Sequence, residues 1–325
     1  MPANVGTMMY AGARPWHGLG TAVDGEQTAE SAIVKAGLAW TVSKRSVFVN
    51  LERAQSTYRP IDAKRAIVRD DTGTVFNVMG EGYTPVQNRE AFAFFDSIVG
   101  EGQAIYHTAG SLGLGEKVWI LAKLPGDIVV NDGDRTEKFL LLSNSHDGTQ
   151  ALRMFFTPIR VVCQNTLNLA QSGRGKGEGI SIRHTVGATL AVQEARRALG
   201  IAVKFYDGLG NVVSALAHSK ASRDAVSAYF KTLVPDNVEA EKTSRTVNIR
   251  ATMFHNFEHG KGNNGATWWD AVNAVTEYVD HDRSTRGNGL EKVSNRLESQ
   301  WFGSGARIKA DAWNLALDLA GVKVT

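Results

Sequence analysis

The sequence predicts an α+β fold, with a strand-rich antiparallel sheet and flanking helices in the N-terminal half and a helical C-terminal half. Two observations lead to this prediction. Between residues 41 and 157, short apolar runs alternate with turns that contain Gly or Asp, as in a series of β-strands. From Val186 onward, apolar residues recur every three to four positions, which is the period of a helix. We expect a sheet domain at 1–185 and a helical region at 186–325; whether the second packs on the first as one unit stays open.

Composition excludes several classes of protein. With 325 residues, 43% of them hydrophobic, and seven prolines, the chain can bury a sizeable core. The single cysteine, Cys163, cannot form an intrachain disulfide. No apolar run approaches the roughly 18 residues of a membrane helix, and the first residues lack the apolar stretch of a secretory signal. We therefore expect a cytoplasmic protein that is not inserted in a membrane.

The N-terminal half is predicted to begin with a helix and to continue mainly as strands. A helix is expected over 28–38, because Thr28 can cap it and its alanine-rich interior ends at Gly37. Residues 41–50 are predicted as a strand, and a hairpin is predicted from 64–69 and 74–79, with an Asp-Asp-Thr-Gly turn between them. The elements expected next are a helix at 87–99 and closely spaced, hence antiparallel, strands at about 103–109, 116–124, 137–144 and 150–157.

The C-terminal half is predicted to be helical. The first apolar stripe consists of Ala188, Val192, Ala195 and Leu199. Gly208 and Gly210 are expected to break this helix. Further helices are expected at about 211–233, 236–259, 266–280 and 305–320, separated by loops that include the polar, glycine-containing segments 260–265 and 283–289. Thr267 and Asp270 have the spacing of a capping box, and Trp268 joins the apolar stripe that follows them.

The charge of the chain is unevenly distributed. Residues 151–235 contain eleven Lys or Arg and four Asp or Glu, a net charge of +7, whereas the rest of the chain carries −4. A basic middle segment predicts a localised anionic partner, of which nucleic acid is the commonest for a soluble protein. A solvated helical face that binds nothing is the alternative.

The run Gly-Arg-Gly-Lys-Gly-Glu-Gly at 173–179 lies within this basic segment. Its glycines let backbone N–H groups approach an anion closely, while Arg174 and Lys176 supply positive charge. A nucleotide-hydrolysing P-loop is not indicated, because the Lys-Ser/Thr pair is absent and no strand leads directly into the run. We interpret the run as a connector that becomes ordered on a polyanion; an exposed loop with incidental charge is the alternative.

The strand predicted before this run adds a cation and an aromatic residue to the basic segment. A two-residue period places Arg153 and Phe155 on one face, where they combine charge with a stacking ring if that face is exposed. The alternative is that Phe155 and Phe156 form a buried pair. The full set of predicted nucleic-acid-binding residues is Arg153, Phe155, Arg160, Arg174, Lys176, Arg183, Arg197 and Lys204.

A second cluster lies near the start of the chain. Arg14, Trp16 and His17 are close together in a segment without regular periodicity. A Trp in such a segment usually has a surface to dock on, so we expect these residues to stack on a base or to contact a neighbouring subunit. The alternative is that Trp16 fills the core of its own chain.

Catalytic and metal-binding patterns are weak in this sequence. His107 with the pair His146-Asp147 has the residue types of a metal-dependent phosphohydrolase, but all of them lie in strand or turn sequence. Cys163 beside two valines is typical of a small buried residue rather than of a nucleophile activated by His184. The eight histidines lack the spacings of zinc motifs. We expect no enzyme activity, no metal and no cofactor.

Three segments together resemble a known family. They are Pro-Trp-His-Gly-Leu-Gly at 15–20, Arg-Val-Val-Cys-Gln-Asn-Thr-Leu at 160–167 and Thr-Glu-Tyr-Val-Asp-His at 276–281. The chain is similar in these segments to the phage/plasmid-like family known as domain of unknown function 932. This resemblance implies a protein of a bacteriophage, prophage or plasmid that is made in the bacterial cytoplasm.

A more remote similarity concerns architecture. A strand-rich half followed by a basic strand-to-helix region resembles the phage single-strand annealing recombinases of the RecT and Erf type, which form rings or helices that hold DNA in a basic groove. We therefore expect a single-stranded DNA binding and annealing protein that acts as a homo-oligomer, a ring or a helix, without a cofactor. The alternative is a phage or plasmid interaction protein that binds and inhibits a host defence or replication factor. A nuclease or nucleotide-modifying enzyme is the third and least favoured option.

Overall fold

The computed structural model describes residues 5–11, 21–23, 28–51, 57–99, 105–131, 134–160, 165–166, 180–182, 192–236, 243–301 and 303–323. Its strands are β1 (Val5–Ala11), β2 (Thr21–Val23), β3 (Val42–Leu51), β4 (Thr57–Arg69), β5 (Val75–Gly80), β6 (Ile105–Leu112), β7 (Lys117–Asn131), β8 (Asp134–Ser145), β9 (Leu152–Phe156), β10 (Ile159–Arg160), β11 (Asn165–Thr166) and β12 (Ile180–Ile182). Its helices are α1 (Ala29–Lys35), α2 (Asn88–Val99), α3 (Val192–His218), α4 (Arg223–Leu233), α5 (Thr243–His259), α6 (Trp268–Glu277), α7 (Gly289–Trp301) and α8 (Ser304–Ala320), with a π-helical turn at Tyr278–Asp282.

Two sheets form the described part of the N-terminal half. The large sheet has the strand order β11-β10-β8-β7-β6-β1-β2, and β9 pairs with β8 and with β12. All of its pairs are antiparallel except β1 with β2. The small sheet has the order β3-β4-β5. The predicted α+β fold, with a strand-rich antiparallel N-terminal half and a helical C-terminal half, is confirmed.

The centre of the large sheet is buried on both faces. β8 contains the continuous apolar run 139–142, as expected for a strand without a solvated face. Leu140 and Leu142 belong to the main core, whereas Phe139 and Leu141 belong to a smaller cluster on the other face. The smaller cluster is closed by Trp301 of α7, whose ring centroid lies 5.6 Å from that of Trp119.

Helix α3 covers the main-core face of the large sheet. Tyr206 donates a hydrogen bond to the backbone oxygen of Phe139 and accepts one of 2.9 Å from its N–H. The predicted break at Gly208 and Gly210 is wrong, because α3 continues to His218. Each helical Gly costs about 1 kcal/mol relative to Ala, and burial of Leu209 and Val213 against the sheet offsets that cost.

The local predictions at turns and caps are confirmed. Thr28 caps α1 through its side chain, and Gly37 follows that helix with a φ of +67°. The turn before β5 has Gly73 at a φ of +70°. Thr267 and Asp270 form the predicted capping box at the start of α6, and Trp268 is buried.

Helix α7 was not predicted, and Trp269 had no predicted role. Trp269 Nε1 donates a 3.0 Å hydrogen bond to Asp134 Oδ2 at the start of β8, so α6 is tied directly to the large sheet. The main core contains side chains from both halves of the chain.

Within the described ranges, no helix combines the length and apolar character needed to cross a membrane.

Candidate nucleic-acid interface

The three-stranded sheet has one end packed on the body of the protein and one end that projects from it. At the packed end, Val42 and Ile67 are buried, and the ring of Phe76 stacks on that of His146 with 5.8 Å between centroids. Because β5 pairs only with residues 64–68 of β4, β3 and β4 continue beyond it as a two-stranded ribbon. We call this ribbon, together with the residues at its base (46–51 and 57–64 in all), the arm.

One face of the arm carries two exposed aromatic rings. In the hairpin register, Phe48 is opposite Pro60 and Asn50 is opposite Tyr58, which puts all four side chains on the same face. Phe48 and Tyr58 are 54% and 63% exposed. Large apolar side chains exposed together are typical of a binding surface. We call this face the aromatic face.

The same two strands are strongly basic. β3 and β4 together contain six Lys or Arg and one Asp. The cations near the packed end form the ion pairs Arg45–Asp70, Arg65–Glu81 and Arg69–Asp71. Arg59 and Lys64, on the arm, are exposed and have no acidic partner in the part of the chain that the structure describes. The arm therefore presents aromatic rings together with two uncompensated cations.

Hydrogen bonds at the packed end fix the base of the small sheet. Asp70 accepts hydrogen bonds from Ser43 Oγ at 2.6 Å, Thr41 Oγ1 at 2.8 Å and Arg45 Nη2 at 3.1 Å. The Ser43 hydrogen bond contributes most to holding the pKa of Asp70 below its usual value. The guanidinium carbon of Arg69 lies 4.4 Å from the ring centroid of Trp40. The arm thus projects from an ordered base.

Arg153, the first of the predicted site residues, is exposed on β9. Its neighbours Met154 and Phe156 are buried, and Phe156 stacks on Phe205 of α3 at 4.7 Å. The expected two-residue period is therefore present, with the even-numbered side chains toward the core. Phe155 lies in β9 and Arg160 in β10, but their side chains are outside the described part of the structure.

Arg153 and Lys204 belong to opposite sides of the large sheet. Phe156 is three positions from Arg153 and so points to the opposite face of the strand, and that is the face on which α3 packs. Lys204 is exposed on α3. A nucleic-acid strand that contacted both residues would have to pass around the edge of the sheet.

The other predicted residues cannot be placed in this geometry. Arg197 lies in α3, with its side chain outside the described part. The remaining predicted residues, and the weak nucleophile pair, lie outside the described residues altogether: Arg14, Trp16, His17, Cys163, Arg174, Lys176, Arg183 and His184.

His107 and His146, the described histidines of the sheet domain, pack against aromatic rings. His146 is fully buried, packs against the rings of Trp40 and Phe76 and forms a 3.0 Å hydrogen bond through Nε2 with Asn88 Oδ1. The ring of His107 packs edge-on against Phe139 at 5.0 Å. Among the described residues, no group of three or more His, Cys, Asp or Glu is arranged to hold a metal ion.

The helical half contains a buried polar network whose contacts are all within the protein. The π-helical turn is closed by a 2.7 Å hydrogen bond from the N–H of Arg283 to the oxygen of Tyr278. Within it, Asp280 pairs with Lys309 at 2.9 Å, and both are buried. Arg296 donates to the backbone oxygens of His281 at 2.8 Å and Arg283 at 3.1 Å. The network explains why Asp280 lies inside the protein without indicating a substrate site.

Sequence reasoning missed the arm as a candidate site. The residues concerned are Phe48, Tyr58, Arg59 and Lys64, and the basic segment was sought at 151–235 instead. One signal was present: 44–59 combines Lys and Arg with aromatic residues at strand spacing. The sequence pattern does not show that the strands extend beyond β5 or that both of their faces are exposed.

Comparison with known protein families gives a match over most of the chain. The family model described as Domain of unknown function (DUF932) matches residues 75–301, a span that begins at β5 and ends with α7. The arm lies before this span. No curated protein and no solved structure matches the chain.

Proposed function

This chain belongs to the DUF932 family, and we propose that it is a single-stranded DNA binding and annealing protein of a phage or other mobile element, acting in the bacterial cytoplasm as a homo-oligomer. The observation that carries the proposal is the arm, which exposes Phe48 and Tyr58 on its aromatic face and the cations Arg59 and Lys64 on the same two strands, on the opposite face in the register. Rings that stack on bases and cations that neutralise phosphates are the two components of single-strand binding.

The chemistry of the aromatic face favours a single strand over a duplex. A ring can stack only on a base that has left its neighbours, and one such contact contributes roughly 1–3 kcal/mol. Every base has a π-face, so this contact carries little sequence preference. Bases held in this way keep their pairing edges available, and a complementary strand can pair with them without ATP or a metal ion.

The basic middle segment supplies the second part of the proposal. Arg153 is exposed on β9, and the sequence between β9 and α3 contains Arg160, Arg174, Lys176 and Arg183. We propose that these residues contact phosphates. Because each neutralised phosphate releases counterions, affinity should fall steeply with salt.

The experiment is fluorescence anisotropy of the purified protein with a labelled oligonucleotide, single- or double-stranded, across a salt series. We expect tighter binding of the single strand and a steep loss of affinity with salt. Equal affinity for both forms, or binding that is insensitive to salt, would contradict the proposal. Annealing is then measured as the rate at which two complementary labelled strands pair with and without the protein.

A second candidate function is supported by a cleft between α4 and α5. Its volume is about 360 Å³, and Phe230, Val247 and Phe254 line it together with Lys231 and Arg250. Both cations form ion pairs with Asp236, so the cleft is mainly apolar. A cleft of this kind fits a side chain of a partner protein, in line with an inhibitor of a host defence or replication factor. Alanine replacement of Arg174 and Lys176 separates the two functions: loss of DNA affinity in a folded protein supports the first, and unchanged biological activity supports the second.

A further inference from the structure

Two histidines lie one helical turn apart at the end of α5. His255 and His259 belong to the segment His-Asn-Phe-Glu-His at 255–259, which ends the helix Thr243–His259. Residues four positions apart lie on the same face of a helix. The expectation that the histidines lack the spacings of zinc motifs is wrong for this segment, because His-x-x-Glu-His on a helix is one of those motifs.

Both imidazole rings of this segment face solvent. His255 and His259 are exposed, whereas Met253, Asn256 and Phe257 of the same turns are buried and hold the helix against the core. Neither ring forms a hydrogen bond or an ion pair with another residue in the described part of the chain, and the contact that they make is with each other. Their nitrogens are therefore available to an external ligand.

The distance between the two rings matches a shared zinc ion. The ring centroids are 5.1 Å apart, with an angle of 56° between the ring planes. With a zinc–nitrogen bond of about 2.1 Å, two imidazoles that bind one ion at the tetrahedral angle have centroids about 5.2 Å apart, whereas a right angle gives about 4.5 Å. The observed separation is that of tetrahedral coordination, which favours Zn²⁺ over the square-planar geometry typical of Cu²⁺.

The end of α5 is also electrostatically suited to a cation. His259 is the last residue of the helix, and the last carbonyl groups of a helix carry partial negative charge. Glu258 adds a carboxylate to the same turn, but this carboxylate forms an ion pair with Arg223 of α4 and is not a ligand. Since the described residues contain no group of three side chains arranged to hold a metal ion, the site has two protein ligands.

We propose that His255 and His259 bind one Zn²⁺ through their imidazole nitrogens, with water in the remaining coordination positions. Imidazole is a preferred ligand of zinc, whereas Mg²⁺ and Ca²⁺ prefer oxygen ligands. Because the site has two protein ligands instead of the four of a closed structural site, we expect micromolar affinity. The inference goes beyond the proposed function and does not rest on it, since α5 belongs neither to the arm nor to the basic segment.

The test is isothermal titration calorimetry of Zn²⁺ into the tag-free protein after dialysis against EDTA and then against metal-free buffer. We expect one zinc ion per chain and no binding of Mg²⁺. His255→Ala and His259→Ala should each weaken zinc binding about tenfold or more, since loss of even an outer-shell partner costs that much. His218→Ala, at an exposed position of α3, is the matched control and should bind like the wild type. A wild type that binds no zinc, or folded His255→Ala and His259→Ala variants with wild-type affinity, overturns the proposal.

Two further measurements test the arrangement of the ligands. Glu258→Gln should keep the zinc affinity of the wild type, and a loss as large as that of the histidine variants overturns the two-histidine site.

Thermal melting gives a readout that depends on the folded helix. The two ligands are one turn apart only in the folded protein, so zinc should raise the melting temperature of the wild type and of His218→Ala but not that of His255→Ala. Melting without zinc checks that each variant is folded. An equal zinc-dependent rise in His255→Ala places the ion elsewhere and overturns the proposal.

Discussion

The ammonium group of Lys309 lies 2.9 Å from Oδ1 of Asp280, and both side chains are buried in the helical half. Burial lowers the pKa of Lys309, and the nearby Asp280 carboxylate opposes that effect. A buried pair of this kind adds little net stability compared with apolar residues, but removal of one partner leaves an uncompensated charge. The pair therefore makes the helical half sensitive to single substitutions.

We predict that Lys309→Met lowers the free energy of unfolding by about 3–5 kcal/mol. The double variant Asp280→Asn, Lys309→Met should lose clearly less, because no buried charge remains. Urea denaturation at pH 7 measures both, with Lys292→Met at an exposed position of α7 as the control. A loss under 1 kcal/mol for Lys309→Met would mean that the carboxylate is solvated or otherwise compensated.

The aromatic face of the arm gives a prediction on affinity. Phe48→Ala and Tyr58→Ala should each weaken single-strand binding by roughly tenfold, which corresponds to about 1.4 kcal/mol and lies within the range for one stacked base. Both side chains are exposed, so the melting temperature should not change. Leu319→Ala, at a half-exposed position of α8, is the control. Unchanged affinity in both aromatic variants would remove the arm from the binding site.

The uncompensated cations of the arm give a prediction on salt dependence. Arg59→Ala and Lys64→Ala should each reduce the slope of log affinity against log salt by about 0.7 for single-stranded DNA, the value for one phosphate contact. The loss should be the same for oligonucleotides of different sequence. Arg307→Ala, at an exposed position of α8, should leave the slope unchanged. A sequence-dependent loss would indicate base contacts instead.

Features that depend on neighbouring residues could be predicted from the sequence. The capping box of Thr267 and Asp270 and the Asp-Asp-Thr-Gly turn before β5 are set by residues within four positions of one another, so the pattern contained the information. The fold class followed from the change of apolar period near residue 186. The alternation of Arg153 with Met154 and Phe156 followed from the same kind of local pattern, but the pattern left open which of the two faces is exposed.

Features that depend on distant partners could not be predicted. Gly208 and Gly210 are helical because α3 packs on the large sheet, and Trp269 is buried because Asp134, 135 residues earlier, accepts its hydrogen bond. α7 has few apolar residues, and its end is held by contact between Trp301 and Trp119. The arm was missed for the same reason, since a strand pattern does not reveal whether another element covers its faces.

His107 gives a prediction on pH dependence. Burial is the main cause that lowers its pKa from the usual value of 6.5, and its Nδ1 is buried without a hydrogen-bond partner among the described residues. The unfolded chain therefore takes up a proton near pH 6.5 that the folded protein takes up only at lower pH. The free energy of unfolding should fall as the pH drops below about 6.5, until the folded-state pKa is reached. Above pH 7.5 the group has no effect, because it is neutral in both states.

We expect His107→Gln to flatten this decline between pH 7.5 and pH 5, measured as the free energy of unfolding in urea at half-unit steps. Glutamine keeps a polar side chain at the position but does not titrate, so a change of slope reports the proton rather than the packing. The absolute stability of the variant is not the readout, since the edge-on contact of the ring with Phe139 is lost at every pH. His218→Gln, at an exposed position of α3, should keep the wild-type slope. If the slope of His107→Gln equals that of the wild type, acid sensitivity originates at another group, and the half-buried ring of His107 is protonated as readily in the folded protein as in the unfolded chain.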